Sequence, residues 1–241
     1  MIYKVIPLLM LGFSLSAADL CLDISKEFNA PVIRNRSDEG SNICFDLNDF
    51  FNARTLAPAN DTDGEGFRGA NNEKYISDKL AINNGKLSKD GLPFNLGPIS
   101  GGNNTIKLRL NTPPCKILLA EPAKLKAISF ISNGVGLNPC VPPADNGWGI
   151  VRINYADGTK REDQFVYRNF YSAPPQAPAF SIGITDITGK TGTSVNRHIY
   201  GQTVKLDPAK TVSSIEFDLS GIVDGSGNDA EFGILAITGT K

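Results

Sequence analysis

In VSSIEFDLS (212–220), Ile215, Phe217 and Leu219 alternate with Glu216, Asp218 and Ser220. A period of two puts apolar side chains on one face of an extended strand and polar ones on the other, which is incompatible with a helix. The same alternation recurs in GIVRINYADGTKREDQFVYR (149–168), where Val151, Ile153 and Tyr155 interleave with Arg152 and Asn154. There Asp157-Gly158 separates that run from a second one ending near Arg168. Asp-Gly between two such runs predicts a hairpin, because glycine supplies the positive φ that a tight turn requires.

Further strands are predicted over 105–110, 125–132, 179–188, 198–206 and 232–238, separated by turn clusters. No long helical pattern lies between them, which argues against βαβ crossovers and a parallel sheet. Asn72–Leu80, NEKYISDKL, suits a helix or an extended segment. The chain is therefore expected to be all-β: one antiparallel two-sheet β-sandwich, jelly-roll-like, covering residues 19–241.

Residues 1–18 read as a signal peptide. Lys4 precedes an apolar run from Val5 to Leu15, and small residues at Ser16 and Ala18 suit cleavage after Ala18. The run is shorter than the roughly 20 apolar residues of a membrane span. Removing it takes away Lys4 and no acid, so 24 basic residues become 23 against 25 acidic ones. A slightly acidic secreted chain does not suit nucleic acid or an anionic membrane as partner.

Export also bears on the cysteines. Cys21, Cys44, Cys115 and Cys140 make an even set, compatible with two disulfides in an oxidising compartment. Of the three pairings, Cys21 with Cys44 and Cys115 with Cys140 close the most local loops, and the first would pin an irregular strap over residues 19–41. Zinc has neither a CxxC pair nor a second histidine beside His198. Three sequons, at Asn35, Asn60 and Asn103, are compatible with N-glycans.

The enzymatic motifs are sparse. His198 sits in a strand-like run with Tyr200 and Gln202, and the chain has no GxSxG elbow and no HExxH pair. A carboxylate pair needs only two acids facing one another across a cleft, so a glycosidase or polysaccharide lyase drawing on Asp61, Asp63 or Glu65 stays open as an alternative. NDTDGEGFRG (60–69) also places Asp61, Asp63, Glu65 and Gly66 at positions 1, 3, 5 and 6 of a calcium-type loop. Asn72 stands at position 12, where an EF-hand has its bidentate glutamate. The stretch is thus an acidic turn and a candidate structural calcium site.

Sugar recognition calls for flat aromatic faces flanked by amides, carboxylates or arginine. Asp145, Asn146 and Trp148 lie together just before a strand, and Tyr167, Arg168, Asn169, Phe170 and Tyr171 lie just after one. Arg197 beside His198 and Tyr200 is a third candidate. Trp148 suits the core as well as a ligand face.

Several segments together resemble an accessory β-sandwich found beside glycoside hydrolases. They are FDLNDFFNAR (45–54), DTDGEGFRGANNEKYISDKL (61–80), GLPFNLGP (91–98), the Tyr155–Thr159 hairpin and the strand entry Leu206–Ile215. The resemblance implies a galactose-binding-like or jelly-roll fold and a carbohydrate-binding role. The resulting expectation is a secreted, extracellular protein that binds carbohydrate without cutting it. A structural or host-interaction protein that binds another protein is the remaining alternative.

Overall fold

Alternation of apolar and polar positions does resolve into strands. A computed structural model describes residues 32–33, 36–57, 75–76, 85–98, 101–109, 112–135, 146–168, 180–187, 194–219 and 231–241. In chain order the strands are β1 (Val32–Ile33), β2 (Arg36–Glu39), β3 (Asn42–Phe45), β4 (Leu56–Ala57), β5 (Tyr75–Ile76), β6 (Lys86–Lys89), β7 (Leu92–Asn95) and β8 (Ile106–Arg109). They continue with β9 (Cys115–Lys124), β10 (Ala127–Val135), β11 (Asn146–Tyr155), β12 (Lys160–Arg168), β13 (Phe180–Ile187), β14 (Ser194–Lys205), β15 (Thr211–Asp218) and β16 (Glu231–Thr240). Among the described residues the helical content is one 3-10 turn, Asn48–Phe50. All of them fall in a single unit, Pro31–Lys241.

A five-stranded sheet has the order β1-β9-β15-β11-β12. A nine-stranded sheet runs β2-β3-β16-β10-β14-β13-β5-β4, and β8 also pairs with β16. The pairings are antiparallel except for the two-residue contacts of β1 with β9 and β4 with β5. Strand β16 is central: β10 runs along one edge, and β3 and β8 share the other. The all-β, antiparallel expectation therefore holds.

Apolar side chains from both sheets enter one cluster. Phe130 of β10 meets Phe165 of β12 and Phe217 of β15 edge-on, with ring centroids 5.9 and 5.1 Å apart, and Phe165 stacks on Phe232 of β16 at 4.8 Å. Buried rings of this size contribute about 1.5–3 kcal/mol each, and such pairings add a further ~0.5–1.5 kcal/mol. Gly149 of β11 lies opposite Phe165 in register, and the Phe165 ring occupies the space a side chain there would need.

The β11–β12 hairpin turns at Asp157-Gly158, with Gly158 at φ 82. A second Asp-Gly turn, Asp90-Gly91, has both residues at positive φ (53 and 77) and joins β6 to β7, as an I′-type turn requires. Through the carbonyl of Pro93, this small hairpin accepts hydrogen bonds from Cys44 Sγ (3.4 Å) on β3 and Thr238 Oγ1 (2.5 Å) on β16.

Two expectations need correction, and at Tyr75–Ile76 an open alternative is decided. Arg36–Glu39 and Asn42–Phe45 form a hairpin at the edge of the nine-stranded sheet, with Gly40 at φ 61 in its turn, so the end of the expected strap is regular strand. Within Asn72–Leu80, Tyr75–Ile76 is strand, because it pairs with Thr185 and Asp186 of β13. No disulfide is present among the described residues. Cys44 is buried, with its Sγ donating to the Pro93 carbonyl, Cys115 carries a thiol, and Cys21 and Cys140 lie outside the described residues. Of the sequons, Asn103-Asn104-Thr105 is wholly described; Asn103 is exposed while Thr105 is buried.

Candidate functional site

The β11–β12 hairpin brings together four residues singled out from sequence. Asn146 stands opposite Arg168, Gly147 opposite Tyr167, and Trp148 opposite Val166. All lie at the end of the hairpin away from the Asp157-Gly158 turn. Asp145 and Asn169 adjoin these strands in sequence but, with Tyr171, lie outside the described residues. Arg197 is elsewhere: it pairs with Ile184 within the nine-stranded sheet, beside His198, which pairs with Gly183. Asp61, Asp63 and Glu65 lie outside the described residues, so the candidate calcium loop does too.

Positions 150, 152 and 154 alternate with the core-facing Gly149, Val151 and Ile153, so they share the sheet face turned from the core. On that face lies a charged group the sequence reading did not single out. Arg152 sits in register between Glu162 on β12 and Glu216 on β15, and Glu216 in turn faces Lys116 on β9. The Arg152 guanidinium donates from Nε to Glu162 Oε1 (2.9 Å), from Nη1 to Glu216 Oε1, and from Nη2 to Asp218 Oδ2 (2.9 Å). Lys160 Nζ reaches the same Glu162 oxygen at 2.8 Å. One row further along, Asn154 Nδ2 donates to Ser214 Oγ at 3.0 Å.

These side chains meet because neighbouring strands place residues about 5 Å apart on one face, and opposite charges in such pairs are worth roughly 0.2–1 kcal/mol. The hydrogen bond to Glu216, then those to Asp218 and Glu162, hold Arg152 even more firmly protonated than usual against the opposing effect of burial. Lys160 first, and Arg152 after it, lower the Glu162 carboxyl below its ordinary value. A general acid needs the opposite shift, so the arrangement keeps Glu162 an ionised acceptor. Fixed carboxylates beside amide and hydroxyl groups form a surface of hydrogen-bond acceptors and donors for polar ligands.

The signal for this group was present in the sequence, since Arg152, Glu216 and Asp218 each occupy the polar phase of an alternating run. Which strand would lie beside which was not. A second charged group lies on the nine-stranded sheet between β8 and β16, where buried Glu231 meets the buried Lys107 Nζ (3.9 Å) and the half-exposed Arg109 Nε (3.0 Å). Among the described residues no group of three or more His, Cys, Asp or Glu side chains is placed to hold a metal ion. None of their helices is long and apolar enough to cross a membrane. No protein-family model matches the chain, and no curated protein matches it.

Proposed function

We propose that this is an exported, non-catalytic carbohydrate-binding protein, built as a jelly-roll-like sandwich of its two sheets and resembling the accessory modules found beside glycoside hydrolases. The observation that carries the reading is the register of β11 and β12. It gathers Asn146, Trp148, Tyr167 and Arg168 at one end of the hairpin that carries the Arg152 group, with Tyr167, opposite Gly147, in the alternate phase to the other three. Aromatic and amide positions next to fixed carboxylates are the chemistry that sugar rings and hydroxyls require. Asp145, Asn169 and Tyr171 adjoin that end in sequence, while Arg197 belongs to a different sheet and drops from the proposed site.

The carboxylates of this group support binding over cleavage, because Arg152 hydrogen-bonds three of them at once and Glu162 is pushed away from general-acid behaviour. Calcium at Asp61, Asp63 and Glu65 would be structural, fastening the acidic turn.

The test is depletion of the protein from solution by a panel of insoluble polysaccharides, with calcium and with chelator, while the supernatant is assayed for released sugar. Retention without release is expected, and Trp148→Ala with Tyr171→Ala should abolish it while circular dichroism stays unchanged. Sugar release would make the protein an enzyme. Neither retention nor release would refute the carbohydrate reading and leave a protein partner as the alternative.

A further inference from the structure

Among the described residues, two strands end their sheets with one partner each: β12 pairs with β11 at the margin of the five-stranded sheet, and β2 pairs with β3 at the margin of the nine-stranded one. The β12 edge is uncovered, since Lys160, Arg161, Glu162 and Gln164 are exposed. The two margins stand apart on one copy. Strand β1 lies at the other end of the five-stranded sheet from β12, and only two residues separate it from β2. An unpaired edge offers its backbone N–H and C=O groups to a further strand, and charges on it decide which strand can take them.

Strand β12 opens with Lys160-Arg161-Glu162-Asp163, and β2 reads Arg36-Ser37-Asp38-Glu39. Laid antiparallel with position 160 opposite 39, they set Arg161 opposite Asp38, Glu162 opposite Ser37 and Asp163 opposite Arg36. Three of the four pairs are of opposite sign and none is of like sign. The same register matches the faces of the two sheets. Positions 161 and 163 stand opposite Ile153 and Val151, and positions 38 and 36 stand opposite Ile43 and Phe45, four members of the apolar cluster. Residues directly opposite share a face, so inward phase meets inward phase, a match that a slip of one residue would destroy. Pairing β12 with itself fails this test. A face-matched antiparallel pair of identical strands is centred on one residue; centres at 160 to 163 set a charge against its own copy, and a centre at Gln164 sets Lys160 against Arg168.

We propose that the β12 edge receives β2 of a second copy of this chain, joining copies head to tail. Such a contact is heterologous and repeats into a ring or an open chain. Lys160 and Arg161 already meet Glu162 and Asp163 of their own strand, both at 2.8 Å. Pairs this exposed hold weakly, so the same groups can also face opposite charges across the edge. The short overlap makes the contact weak, reversible and sensitive to salt.

The experiment is sedimentation velocity of the full chain over a wide concentration series at low and high salt. The parent should sediment faster as concentration rises, and less so at high salt. Arg161→Glu and Asp38→Lys should each weaken self-association roughly tenfold, because each sets like charges across the edge. An equimolar mixture of the two should restore it, since every contact between the variants is again of opposite sign. Lys160→Glu with Glu39→Lys repeats the design at the neighbouring pair, should either first variant fold poorly. A parent that stays monomeric at every concentration would overturn the proposal. So would single variants that associate as tightly as the parent, or mixtures no more associated than their components.

Discussion

Replacing Gly149 by alanine puts a methyl group where the Phe165 ring already lies. Three ring atoms fall inside contact distance of the new Cβ, the most distant of the three at 2.7 Å. The ring has little room to retreat, because Phe130, Phe217 and Phe232 surround it with centroids 5.9, 6.0 and 4.8 Å away. Overpacking of this kind typically costs about 1–3 kcal/mol. Expelling the ring altogether would cost roughly the 3–5 kcal/mol of a Phe→Ala change, which sets the ceiling. A loss of about 2–4 kcal/mol is therefore expected, and for a chain of 241 residues each kcal/mol lowers Tm by about 2–4 °C. The informative measurement is the double-mutant cycle with Phe165→Ala, by urea unfolding followed with circular dichroism. Once the ring is gone, alanine at 149 meets no obstacle and removes the backbone-entropy cost of glycine, so the same substitution should stabilise by about 0.5–1 kcal/mol. Additive effects, or a cost under about 0.5 kcal/mol for Gly149→Ala alone, would refute this account of the core.

Other perturbations separate buried from exposed chemistry. Glu231→Ala removes the buried carboxylate that faces the buried Lys107 and the half-exposed Arg109, leaves the Lys107 ammonium without it, and should cost about 3–5 kcal/mol in urea unfolding. Asp163→Ala, which breaks the half-exposed pair with Arg161 at 2.8 Å, should cost under about 1 kcal/mol. Equal costs would contradict the burial argument. Thr159, through its hydroxyl and then its backbone N–H, lowers Asp157 to a pKa of about 2. A depressed carboxyl stabilises the fold above its unfolded value near 3.9 and loses that contribution as pH falls toward 2. Asp157→Asn should accordingly flatten the dependence of the urea midpoint on pH between about 5 and 2, and a variant as acid-sensitive as the parent would count against it. Burial, with Glu216 secondary, pushes the Cys115 thiol up to about 11, so in the reduced protein it should alkylate far more slowly at pH 8 than an unfolded cysteine. Cys44 bonds to the β6–β7 hairpin at Pro93 while Cys115 packs against the main apolar cluster. Peptide mapping of the oxidised protein should therefore show no Cys44–Cys115 bridge.

Some elements were hidden in the sequence for physical reasons. CKILLAEPAK contains a proline, normally a sign against a paired strand, yet it forms β9. The register jumps from Leu118 opposite Ser214 to Ala123 opposite Val212, and the irregularity takes up Pro122. The β6–β7 hairpin is short and weakly alternating, and it is held by packing and by the Pro93 carbonyl on β3 and β16.

What the amino-acid order determined by itself is local: the period-two alternation that makes strands of 149–155 and 212–219, and the Asp-Gly step that turns β11 into β12. These follow from steric limits on φ and ψ and from the two-residue repeat of an extended chain, both properties of neighbouring residues. Only the tertiary structure decided that β15 would lie beside β11, setting Glu216 and Asp218 against Arg152 from more than 60 positions away. It also decided that Arg197 would join another sheet and that Phe165 would lie over Gly149. Such contacts depend on which apolar faces close on one another, a choice made by the whole core at once.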